Sequence, residues 1–344
     1  MARIFTDGAE TGDNSFWDVT WSYNPSTAPR SGNYSYQGIH EGHMVRSLPS
    51  GLSEFYFRIA FRLRHNFAGG GRSKIGFTAG DWVNQYIVGL RWVNGTIKVR
   101  LGGNEYGTGG TQYDTDTFQM QAGVYYLLEM YIKIDDTNGR VVLKRDGVVI
   151  FDYTGNTVFH GASAPSFLRL KNDGGGDYDV DDLALNDTTG DEDNSWCGDG
   201  RVIPLVPNAA GDVTQLQRSG GSDNWQAVNE GMPGNGDTNY VYGNTVGDYD
   251  LYHIANPNIP SNSIIRRVWV TGSARTTASS GGKIALGVKS GTTTDWSDDI
   301  ALGGSYLRYH GKVYSKNPAN DQAWTVSDID NLQIGVKVTE LGQA

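Results

Sequence analysis

One cysteine, Cys197, stands in the 344 residues, so no intramolecular disulfide framework braces the chain, and stability must come from burial, hydrogen bonding, assembly or ions. Glutamate is scarce as well: of 38 acidic residues, 8 are Glu and 30 are Asp. Aspartate favours turns and caps over helix interiors, so long helices are not expected. No apolar run approaches the roughly 20 residues that span a bilayer. The opening MARIFTDGAETGDN lacks the apolar centre of a signal peptide. The expectation is therefore synthesis in a cytoplasm, with neither export nor membrane insertion. Basic clusters are missing too. At a net charge of −10, the chain offers little counterion release from a phosphate backbone, and nucleic-acid binding is not expected.

What is present is turn chemistry and aromatic mass, with 47 Gly, 19 Tyr and 9 Trp. The clearest stretch is Val124 to Tyr153. There Leu128, Met130, Ile132 and Ile134 alternate with Glu129, Tyr131, Lys133 and Asp135, the period of a half-buried strand. Asp136-Thr137-Asn138-Gly139 and Asp146-Gly147 supply residues that accept positive φ, as tight hairpins require. The pattern predicts a three-stranded meander and an all-β chain.

Residues 186–200, NDTTGDEDNSWCGDG, are polar and aperiodic between two β-patterned halves. They divide the chain into a first domain over 1–187, a linker over 188–200 and a second, smaller sandwich over 201–344. Strands are expected near 33–38, 54–64, 72–78, 84–92 and 95–101 in the first half. In the second they fall near 201–206, 239–243, 249–254, 263–274, 282–289 and 332–339. Trp324 to Asn331 reads as a short helical turn, with Thr325 or Ser327 as its cap. Both halves close on a similar phrase, DVDDLAL at 179–185 and DIDNLQI at 328–334, which a duplication or chance explains equally well.

These residues carry a resemblance. The opening DGAETGD with Trp17, the meander, and the closing YDVDDLALND resemble a concanavalin A-like, laminin G-type jelly roll, which implies that the closing strand lies beside the opening one. The phrases NSWCGDGRVIPLVPNAAGD, SDNWQAVNE and WTVSDIDNLQIGVKVTE resemble bacteriophage virion proteins, tail- or capsid-associated. The resemblance implies a non-enzymatic structural protein of the particle, partnered by other virion proteins and by copies of itself, a trimer by analogy. A carbohydrate-binding module for host-surface glycans is the alternative, and a polysaccharide-degrading enzyme is the reading least favoured.

A concanavalin-like glycosidase needs two carboxylates across a sugar, and no glutamate begins a Glu-x-Asp-x-x-Glu strand; Glu129 reads as an exposed strand position. Gly69-Gly70-Gly71-Arg72-Ser73-Lys74 lacks the helix of a phosphate loop and reads as a hairpin tip. His40-Glu41-Gly42-His43 has no third ligand nearby and reads as a solvated loop. Cys197 beside Trp196 reads as a small buried hydrophobe. Asn33, Asn94 and Asn186 begin glycosylation sequons that are idle in a chain that is not secreted.

Two constellations remain. Asp177, Asp179 and Asp181 alternate on one face of the closing strand, where like charges need a counter-charge. With Asp7, Glu10 and Asp13 of the opening loop they make a candidate structural calcium site, and no other cofactor is implied. Trp82, Tyr86, Trp92, Tyr106 and Tyr113 make a candidate aromatic platform for sugars.

Overall fold

The structure, a computed structural model, describes residues 3–65, 70–80, 85–104, 109–172, 177–255 and 258–343. It divides into two units, Met1–Ile203 and Pro204–Ala344, both built of antiparallel strands. Among the described residues no helix is long and apolar enough to cross a membrane.

The first unit contains β1 (Arg3–Asp7), β2 (Val19–Ser26), β3 (Ser35–Ser47), β4 (Glu54–Leu63), β5 (Gly70–Thr78), β6 (Tyr86–Val93), β7 (Thr96–Gly102), β8 (Gly110–Asp114), β9 (Tyr125–Lys133), β10 (Gly139–Arg145), β11 (Val148–Gly155), β12 (Phe167–Lys171) and β13 (Tyr178–Asp187). Hydrogen bonds order them β11–β10–β9–β4–β13–β3–β12–β5–β6–β7–β8, with β1 on β13 and β2 on β3. The meander forms where alternation predicts it. Its layer folds over a second layer of β2, β3, β12 and β5 to β8, and the two bury one core.

β4 shows why the layers close. Phe55, Phe57, Ile59, Phe61 and Leu63 are all buried. Phe57 meets Phe77 of β5 edge-on at 5.4 Å, and Phe61 stacks on Trp92 of β6 at 4.0 Å. Each such side chain contributes about 1.5–3 kcal/mol of burial. The ends of the unit meet as expected, with Phe5 opposite Leu185 and Asp7 opposite Leu183.

Three expectations are corrected. Residues 188–200 are not a free linker, because Cys197 is buried and Trp196 packs on Tyr56 of β4 at 5.4 Å. This segment is a strap across the meander layer, and the unit boundary falls after Ile203. Residues 40–43 lie within β3 rather than in a loop. Residues 201–206 form no strand.

The second unit orders Pro207–Thr214, Tyr249–Ile254, Gln333–Gln343, Ser280–Ser290 and Thr293–Trp296 in one sheet, with Val268–Ala274 and Leu307–Tyr314 as a separate ribbon. Val270, Leu286, Val288, Trp324, Ile329 and Leu332 form its core. The helical turn Val326–Asp330 is capped by Thr325, whose side chain accepts from the Asp328 amide. The two closing phrases are not structural equivalents. Residues 179–185 are continuous strand, whereas 328–334 run from the end of that helix into a strand.

Candidate carbohydrate-binding face

The six carboxylates expected to share calcium are engaged separately. Asp7 accepts from Trp17 Nε1 at 2.9 Å, Tyr36 OH at 2.8 Å and the Ala9 amide at 2.8 Å. Glu10 accepts from the amides of Asn33 and Tyr34, and Asp13 from the amide of Ser15. Asp177 takes the Asn172 side-chain amide at 3.3 Å. Asp179 is fully buried between two guanidiniums, Arg62 Nη2 at 2.5 Å and Arg64 Nε at 3.0 Å. Asp181 accepts from the amides of Arg30, Ser31 and Asp182. Among the described residues no three His, Cys, Asp or Glu side chains converge to hold a metal ion. The counter-charge that the closing strand requires is supplied at Asp179 by arginine.

The crowding of acids still leaves a mark. Burial, with smaller contributions from Asp182 and Asp7, pushes Glu10 up to about 7. Burial and the Asp182 charge raise Asp181 as well.

The aromatic platform is not where the sequence placed it. Trp92 and Tyr86 are each 1% exposed, and Trp92 belongs to the core against Phe61. Tyr113 packs on Phe151 and Tyr153. Trp82 and Tyr106 lie outside the described residues.

The outer face of the second layer carries a different set. Met44, Leu168, Leu170, Phe77, Val88, Leu90, Val99 and Leu101 point into the core, so their strand neighbours point out. Strand register lines up Val19, Val45, Arg169, Gly76, Gly89, Arg100 and Gln112 in one row across seven strands. Beside it, all on the same side of the row, run Trp21, His43 and Lys171 and, beyond β5, Arg91, Lys98 and Asp114.

The row has two depths. Arg100 is 1% exposed and donates from Nε to the Gly102 carbonyl at 3.2 Å. Burial, helped by the neighbouring Arg91 charge, lowers its pKa from the ordinary arginine value. Arg169 is 5% exposed and donates to Thr78 Oγ1 at 3.3 Å. Arg91, Lys98 and Lys171 are half-buried, and Gln112 is exposed. Arg91 donates to Gln112 Oε1 at 3.1 Å, and Lys98 pairs with Asp114 at 2.6 Å.

Gly76 shapes the middle of the row. A Cβ there would stand 2.0 Å from the Tyr86 ring, so only glycine lets the ring approach the strand this closely. Planar hydrogen-bonding groups around a low glycine floor suit a sugar site. The missed signal was basic residues two apart in otherwise apolar strands, Lys98-Val99-Arg100 and Arg169-Leu170-Lys171.

No protein-family model and no characterised protein sequence matches the chain. Solved structures are similar to part of it. An endo-β-1,4-glucuronan lyase from the fungus Trichoderma reesei is 14% identical with a TM-score of 0.44, covering 57% of this chain and 100% of its own. An alginate lyase from Chlorella virus is 12% identical with a TM-score of 0.40, covering 54% and 99%. The carbohydrate-binding module CBM66 from Bacillus subtilis is 14% identical with a TM-score of 0.35, covering 50% and 96%.

Proposed function

We propose that the first unit is a glycan-binding domain whose contacts lie on the outer face of the second layer. The supporting observation is the registered row from Val45 to Gln112, in which Arg169 and Arg100 flank the glycine pair Gly76 and Gly89. Side chains that serve only solubility need no burial, whereas these two guanidiniums are held beneath the surface with fixed donors. The sandwich presents them on a rigid sheet, which limits the entropy lost when a flexible saccharide docks. We further propose, on the sequence resemblance of residues 194–340 alone, that the chain displays this domain on a phage particle.

Titration of the full chain against a broad glycan panel tests the reading. Binding that falls at least tenfold in a folded Gln112→Ala or Arg169→Ala variant supports it. A folded protein that binds no glycan overturns it, and release of shortened chains or new reducing ends would replace binding with catalysis.

A further inference from the structure

Resting on that reading of the face, we propose that Trp21 is its stacking subsite, and that the ligand is a chain of pyranoses whose C–H faces the indole takes. Trp21 belongs to β2, which pairs with β3, and is 60% exposed. Val19, on the same side of β2, is 40% exposed. Among the described residues of the second layer's strands, these two are the large apolar side chains left open to water.

The backbone turns Trp21 outward. Tyr23, two residues further along β2, lies in the core, and on a regular strand Trp21 would share its side. It does not. Ser22 between them takes a φ of 51°, in the left-handed region that residues with a Cβ rarely adopt, and the register against β3 shifts between Trp21 and Tyr23. An irregularity of this kind re-aims a side chain. The opposite strand is fitted to it, because a Cβ on Gly42 would stand 2.4 Å from the Ser22 carbonyl oxygen. The Gly42 carbonyl in turn accepts the Asn172 amide at 2.8 Å. His43, itself buried, sets its ring perpendicular to the indole with centroids 5.6 Å apart.

Folding alone does not favour this outcome. An aromatic side chain buries about 150–250 Å² when it enters a core, yet β2 carries a strained residue that leaves its largest apolar side chain in water. Strain of this kind collects at binding sites. Contact with a second copy of the chain would need about 800 Å² from each partner, which Trp21 and Val19 do not supply. A sugar ring matches their size. A pyranose with equatorial hydroxyls presents a face of C–H groups whose slight positive charge meets the negative face of the indole. Six strand spacings separate β2 from β8 and its Gln112, about 29 Å at roughly 4.8 Å per strand, so only a chain of rings spans the face.

The test is calorimetry of the full chain with cellohexaose, xylohexaose and mannohexaose, each beside its monosaccharide, and with the furanose polymer inulin. At least one hexaose is expected to bind, about tenfold or more tighter than its monosaccharide. Trp21→Ala, checked for folding by melting, should weaken that binding about tenfold or more, while Trp21→Tyr keeps most of it. Oxidation of Trp21 by N-bromosuccinimide, mapped by mass spectrometry, should slow several-fold at saturating hexaose. Undiminished binding in folded Trp21→Ala, with loss still seen in Gln112→Ala, would overturn the subsite and leave the glycan reading intact. Inulin bound in place of every hexaose would do the same. A change of sedimentation in Trp21→Ala without a change of glycan affinity would give the indole to a contact between copies. No glycan bound at all would sink both.

Discussion

The Gly198 amide donates to the Glu129 carboxylate at 2.7 Å. Glu129 is 5% exposed on the outer side of the meander, where it serves as an anchor for the strap. Glu129→Ala leaves that amide without its acceptor and is expected to destabilise the first unit by about 1–3 kcal/mol, with Glu129→Gln costing less. Urea unfolding of the two variants distinguishes them; equal stability to the parent would show that the strap is held by its other contacts.

Cys197 reports on the same strap. It is buried, and burial pushes its thiol up to about 11. Slow alkylation by iodoacetamide at pH 8 is expected in the native protein, with faster labelling in Glu129→Ala. Rapid labelling of the parent would mean that the strap opens readily.

Asp179 is the buried acid with two cationic partners. Removing one member of such a group leaves uncompensated charge, so Asp179→Ala is expected to cost about 3–5 kcal/mol. Because arginine supplies the counter-charge, a chelator is expected to leave the melting temperature unchanged. A drop of several degrees on chelation would return calcium to the opening loop.

The raised carboxylates set a direction with pH. Glu10 titrates near 7 in the folded protein, and Asp181 is also raised, against about 4 in an unfolded chain. The folded state therefore binds more protons between those values. This contribution to stability is full below the unfolded values and is lost as pH rises through about 7. Melting at pH 6 should exceed melting at pH 9, and Glu10→Gln should flatten the difference. A melting temperature that climbs over this range would contradict the assignment.

Gly76 and Tyr86 are coupled by contact. Gly76→Ala places a methyl against the ring and is expected to cost about 1–3 kcal/mol. Tyr86→Ala should absorb much of that cost in the double variant, a non-additivity that a double-mutant cycle measures. Simple additivity would mean the ring does not rest there.

The sequence disclosed strands where one side faces the core and the other does not. β4 and the meander were legible because period 2 is the imprint of a half-buried strand. β2 and β12 were missed: β12 is five residues, too short for a period to declare itself, and β2 carries little apolar alternation. The site was misread for a related reason. Trp92 looks like a platform residue in one dimension, yet its neighbour Arg91 is the one that faces outward, and a shift of one residue exchanges core for surface. The basic pairs of β7 and β12 stand in the sequence, but they lie about 70 residues apart, and only the fold, through β5 and β6, sets them on one face.

The pairing of β1 with β13 has a kinetic consequence. Arg3 lies opposite Asn186, 183 residues away. A contact that closes so long a loop comes at a large entropic cost, and topologies built on such contacts assemble slowly. The first strand must wait for synthesis of nearly the whole first unit before it finds its place. Until then β13's neighbours present open edges, so this domain completes itself late and all at once.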